Sequence, residues 1–211
     1  HYDHLGYGGK GSMRPNDTGI HNGADDNASG TAAVLVAAKK LQDTMKTVKD
    51  HRRIVVALFS AEEVGLGGSG YLVEHLPVPL AGIKAMVNLD MVGAMKDDKV
   101  VALGSESAPQ WQPLLDRLGP ELKLTVAAGG DGYGPSDQTS FYARQIPVLH
   151  FFTGTHERYH TPDDDADAVN FVGAAKVAEL TAQVGASLAR GEVSPTYARG
   201  AAAPAMERDS R

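Results

Sequence analysis

Three short runs, Ile54–Phe59, Ile83–Leu89 and Ile146–Phe152, are apolar at nearly every position rather than at every second one. A strand with one wet face alternates, whereas a strand covered on both faces does not. These runs predict strands inside a sheet with helices packed above and below. Lys99–Leu103 and Leu122–Val126 read as further strands. Helical patterns lie between them. In the stretch 32–47, Ala33, Val34, Ala37, Ala38, Leu41 and Met45 recur at the three-and-four spacing of one buried face. Segments 68–76, 108–118 and 136–144 follow, and 169–190 carries Val172, Ala175, Ala178, Ala182, Gly185 and Leu188 along one side. Such alternation predicts an α/β fold, a three-layer sandwich with a mostly parallel central sheet and helices on both faces. The aromatic residues Phe141, Tyr142, Phe151 and Phe152 are expected to fill its core. The domain is expected to span residues 1–190, and residues 191–211, with little to bury, to form a disordered tail.

A chain of 211 residues, 42% of them hydrophobic, suits one domain with a full core. Its net charge of −6 argues against a nucleic-acid partner. No run is long and apolar enough to span a membrane. The absence of cysteine excludes thiolate metal sites, cysteine nucleophiles and disulfides, so any metal must be held by His, Asp and Glu. The chain starts at His1 rather than Met and is expected to be a processed product or a fragment. A secreted or periplasmic location is the expectation.

In doubly covered sheets, ligands sit beyond the carboxyl ends of the strands. The chemically loaded residues fall there: Glu62-Glu63 after the first apolar run, Asp90 after the second, and His156 to His160, with Tyr159 and His160 the candidates, after the last. His1, Asp3, Asp25 and Asp26 join them from the loop-like start of the chain. An acid before the first helix can be a cap, but one cap needs one carboxylate and two stand here. Several carboxylates at one sheet end repel one another, and divalent cations relieve that repulsion. Two imidazoles and three carboxylates, one of them shared, give each of two zinc ions three protein ligands and leave room for water. Neighbouring residues in extended chain point in opposite directions, so one of Glu62 and Glu63 can ligate while the other faces the water as general base.

The segments HYDHLG, NGADDNASG, FSAEEVGLGGS, NLDMVG, GYGPSDQTSF and HERYHTPDD, spread over residues 1 to about 190, resemble the two-zinc aminopeptidases of metallopeptidase family twenty-eight. The resemblance implies that His1 and Asp90 hold one zinc, Glu63 and His160 the other, and that Asp25 bridges both. It implies that Glu62 is the general base, that Tyr159 polarises the scissile carbonyl, and that Asp3 orients the His1 ring from behind. Asp26 and Asp137 are expected to support the ligands in the same way, and a cis peptide is expected between Asp25 and Asp26. The implied substrate is a peptide with a free N-terminus. Family members carry further edge strands ahead of the HYDHLG histidine, and many have His where Gln138 stands here. The same fold also serves single-zinc glutaminyl cyclases and non-catalytic receptor domains, which lack part of the ligand set that this chain carries complete.

Two decoys are rejected. Gly65–Gly70 reads GxGxxG, but Ser60–Val64 separates it from its strand and would bring two carboxylates towards a pyrophosphate. The acidic stretch 163–167 lacks the glycine and glutamate of a calcium loop and reads as an acidic cap on the last helix.

Overall fold

A computed structural model describes residues 1–200. Four strands, β1 (Met86–Leu89), β2 (Lys99–Leu103), β3 (Thr125–Gly129) and β4 (Val148–Phe152), form one sheet in the order β1-β4-β2-β3. β1 runs parallel to β4 and β2 parallel to β3, while β2 and β4 are antiparallel. The sheet is thus mixed, and the α/β architecture stands. Because β1 and β4 run the same way with Leu89 opposite Phe151, the residues that follow each strand emerge at one edge.

The helices α1 (Gly30–Met45), α2 (Gly67–Glu74), α3 (Trp111–Glu121), α4 (Gln138–Tyr142) and α5 (Phe171–Ala189) cover both faces. Alternate residues of β4 enter opposite cores. Leu149 and Phe151 join Ala33 of α1, Trp111 and Leu115 of α3, and Val177 and Leu180 of α5. Val148 faces Val73 of α2 and Phe141 and Tyr142 of α4. This explains why the run shows no polar-apolar alternation: each face of β4 has its own helices. Gly30 opens α1 where a Cβ would lie 2.4 Å from the Leu89 carbonyl oxygen, so only glycine lets the helix start against the end of β1.

The run Ile54–Phe59 departs from expectation. It belongs to no strand, and its one backbone hydrogen bond among the described residues runs from Tyr2 N to Phe59 O at 2.8 Å. Ala57 and Phe59 turn into the α2–α4 core, whereas Val55 is 65% exposed and Val56 and Leu58 also face solvent. Apolar composition signals cover on both sides, and no described element supplies the outer one. A smaller shift occurs at β3, expected from Leu122. α3 continues to Glu121, and Leu122 and Leu124 spend their N–H groups on its carbonyls, so the strand begins only at Thr125.

The predicted tail also differs. Residues 191–200 lie along the body: Arg52 donates to the Leu188 and Val193 carbonyls, and Ala198 N donates to Ser107 O. The remainder of that expected tail, 201–211, lies outside the described residues. No helix among the described residues is long and apolar enough to cross a membrane.

Candidate metal centre

The turn Ala24–Ser29 enters α1 and carries both acids of the Asp25-Asp26 pair. Asp164, fully buried, holds it: its carboxylate accepts from Asp25 N at 3.0 Å and from Asp26 N at 3.0 Å. The acidic stretch 163–167 is therefore not the cap of the last helix, a duty that Asn170 performs by accepting from Gly173 N. Asn27 ties the turn to the sheet, donating to Leu89 O and accepting from Met91 N.

Two clusters of potential ligand atoms result. One joins His4, Asp26, Glu63 and His160, the other His1, Glu62 and Asp90, with the atoms of each within 4.8 Å of one another. Asp26 touches both: its Oδ1 lies 3.3 Å from His1 Nε2 and its Oδ2 3.0 Å from His160 Nε2. Asp90 Oδ2 stands 3.4 Å from His1 Nε2, and Glu63 Oε2 3.2 Å from His160 Nε2. The glutamate pair divides, Glu62 towards the His1 group and Glu63 towards the His160 group, although the backbone here is a turn closed by Gly65 N and Leu66 N on Glu62 O and not the extended chain expected.

Asp25, the residue expected between the two groups, does not stand there; Asp26 does. The Asp25 carboxylate turns away and is consumed by Gly93 N at 2.6 Å, Ser29 Oγ at 2.9 Å and His156 Nε2 at 2.9 Å. Adjacent acids on a tight turn point apart, and composition does not say which one faces the sheet end. The cis peptide follows the same one-residue shift and joins Asp26 to Asn27, not Asp25 to Asp26. Asp3 differs in detail. Its carbonyl oxygen, not its carboxylate, lies within hydrogen-bonding distance of His1 Nδ1, at 3.1 Å, and its Oδ1 accepts from Glu62 N. Asp137 is buried close to the His1 group, while its neighbour Ser136 donates to Asp90 Oδ2 at 2.6 Å. Gln138 accepts from Asn88 in the same buried network. Tyr159 stacks on His160, ring centroids 3.8 Å apart.

Two histidines to which the sequence reading assigned no role enter the site. His4 Nδ1 lies 2.7 Å from Glu63 Oε1, and His156 grips Asp25. Both sit inside segments already singled out, HYDHLG and HERYH, where a second imidazole beside a ligating one was the available signal.

The electrostatics are those of a cation site. Burial disfavours charge on the His1 ring, but Asp26 and Asp90 outweigh it and push the ring up to about 12. His160 is likewise resisted by burial and raised by Asp26 and Glu63 to about 10. Burial pushes Glu62 up to about 8, with Asp90, Asp137 and Glu63 adding to it against the pull of His1. Glu63, opposed by burial, is brought down to about 2 by His160 and His4. Burial and its acidic neighbours Asp90 and Asp3 lift Asp137 to about 6. The ion-free chain thus uses protonated imidazoles as counter-ions. Asp90 Oδ1 and both Asp137 oxygens are buried without a hydrogen-bond partner among the described residues. A carboxylate oxygen stranded in this way is costly, and a divalent cation is the partner its chemistry fits. The N/O donor set, without sulfur, suits zinc bound by imidazole and carboxylate.

Comparison with known proteins agrees with this geometry. Residues 1–185 match the model of peptidase family M28. Aminopeptidase YwaD of Bacillus subtilis is 32% identical over 162 residues, 70% of this chain and 34% of the relative. The LapA aminopeptidase of Legionella pneumophila superposes with a TM-score of 0.70 at 24% identity, over 82% of this chain and 48% of that one. The aminopeptidase of Aneurinibacillus sp. strain AM-1 gives 0.68 at 25% identity, over 89% and 44%. The chain therefore spans between a third and a half of these relatives. With the family model covering most of its length and its acid-imidazole clusters gathered at one sheet edge, this chain belongs to peptidase family M28.

Proposed function

We propose that the chain is the catalytic part of a two-zinc aminopeptidase that removes the N-terminal residue of peptides outside the cytoplasm. The single observation that supports this most is Asp26, one carboxylate directed at two imidazoles that belong to different ligand clusters. In this reading His1 and Asp90 hold one ion, Glu63 and His160 the other, and Asp26 lies between them. Bound zinc supplies Lewis acidity towards the scissile carbonyl and brings the pKa of a bound water near ~7. The protein does the rest. The Glu62 carboxylate belongs to neither pair, takes the proton of the attacking water and returns it to the leaving amine. Burial, with Asp26, Glu63, Asp90 and Glu62 adding to it, raises the Tyr159 hydroxyl above its ordinary value, so it keeps its proton and donates to the carbonyl oxygen as negative charge develops. The substrate ammonium is attracted by the acids at the sheet edge, Glu62 and Asp90 among them. The names of the Bacillus, Legionella and Aneurinibacillus relatives, all aminopeptidases, support the assignment. A single-ion acyltransferase needs only one of the two clusters, and both are present.

The test is metal analysis with turnover of aminoacyl p-nitroanilides before and after chelation. Two zinc ions per chain and activity abolished by chelator are expected, and a metal-free protein indifferent to chelator contradicts the proposal. Glu62→Gln is expected to keep its zinc and lose at least ~100-fold in kcat, the usual range for a general base.

A further inference from the structure

We propose that His4 is a positioning residue, holding Glu63 so that only one of its carboxyl oxygens is offered to the ion on the His160 side. The inference rests on the two-ion reading of the site and goes beyond it by giving a role to His4, the one member of the His160 cluster that this reading leaves without one.

The two oxygens of Glu63 have different neighbours. Oε1 lies 2.7 Å from His4 Nδ1, and Oε2 lies 3.2 Å from His160 Nε2. A carboxylate with one oxygen engaged by an N–H donor presents the other alone and in a fixed direction. His4 is well placed to do this, because its own ring is fixed on three sides. Its side chain is only 8% exposed, and that of Glu63 only 7%. It meets His160 edge-on, with ring centroids 5.5 Å apart. On the third side it rests on Gly23, where a Cβ would stand 2.5 Å from His4 Cγ. Gly23 also has φ +62, so both its backbone and the ring above it exclude a side chain. The ring therefore wedges between the Glu63 turn, the His160 loop and the entry to the Asp26 turn. These three segments are distant in sequence and supply one cluster.

In this proposal the His4 ring acts through Nδ1 as a donor to Glu63, while its Nε2 is buried without a partner among the described residues, so a ligand role for the ring is the alternative the variants must separate. That distinction fixes the choice of variants. In His4→Asn the amide nitrogen stands close to where Nδ1 stood and can still reach Glu63. In His4→Gln it stands near the Nε2 position and cannot. His4→Phe fills the ring's volume without any donor. Zinc affinity of the full chain is read by competition with a chromophoric chelator, and stoichiometry by elemental analysis. His4→Phe and His4→Gln are expected to weaken one of two ions by about 10–100-fold and leave the other unchanged, while His4→Asn stays close to the parent. Parent-like binding of both ions in His4→Phe and His4→Gln overturns the proposal. So does complete loss of one ion in His4→Asn as well as in the other two, which makes the ring itself a ligand. A parent chain that binds no zinc sinks the two-ion reading itself, a result distinct from either.

Discussion

At each carboxylate of the turn before α1, the direction of the side chain decides its role. Asp25 and Asp26 are neighbours of the same type, yet one is saturated by Gly93, Ser29 and His156 and the other faces two imidazoles. Asp26→Asn is expected to weaken zinc binding by more than ~100-fold, because on the proposed two-ion reading both ions lose a charged ligand. Asp25→Asn is expected to keep zinc within about 10-fold and instead to destabilise the fold, because an amide nitrogen in place of one carboxylate oxygen leaves Gly93 N and Ser29 Oγ, or His156 Nε2, without its buried acceptor. Chelator competition and denaturant titration of both variants distinguish the two, and equal zinc loss in both contradicts the assignment. The residue types of the site were legible in the sequence, because acids and histidines at the ends of apolar runs have few structural reasons to be there. Which acid of a pair points inward was not. That depends on turn geometry set by Asp164, which lies more than a hundred residues away in the chain.

Among the elements, the turn Ala24–Ser29 and the run Ile54–Phe59 show how far local pattern reaches. The turn is fixed from outside by the Asp164 carboxylate, which satisfies the backbone N–H groups of Asp25 and Asp26. Asp164→Ala leaves those buried donors unpaired and is expected to cost about 2–4 kcal/mol in denaturant unfolding of the ion-free chain, with a change below about 0.5 kcal/mol contradicting this role. Strands β1, β2 and β4 were readable from their apolar runs because helices cover both faces of the sheet there. The run at 54–59 carries the same signal without the same cover, since composition reports what a strand can bury and not whether a neighbour is present. An exposed apolar segment that pairs with no strand among the described residues is a template for association. Val55→Lys is expected to lower self-association in light scattering and leave the zinc count unchanged.

Over the whole molecule, the sheet edge gathers more acid than it could hold uncompensated, and the ion-free chain balances it with protons. His1 at about 12 and His160 at about 10 are both charged at neutral pH. An ion binds only the neutral imidazole, so on the two-ion reading loading the site must expel about two protons per chain from these rings at pH 7, with Glu62, held up to about 8 in the ion-free chain, adding to them, and zinc affinity must rise with pH. Calorimetry in buffers of different ionisation enthalpy reads this number directly, and an absence of proton release would show that the imidazoles are not ligands. The α/β class and the edge that carries the site were legible because apolar strands and their polar ends form a pattern along the chain. The mixed direction of the sheet and the ordering of residues 191–200 were not, because both depend on contacts that the local pattern does not encode.

The most direct test of the account is anomalous diffraction at the zinc edge from crystals grown with zinc. Two peaks roughly 3.5–4 Å apart, one on each side of the Asp26 carboxylate, are predicted. A single peak, or a pair centred on Asp25, would contradict it.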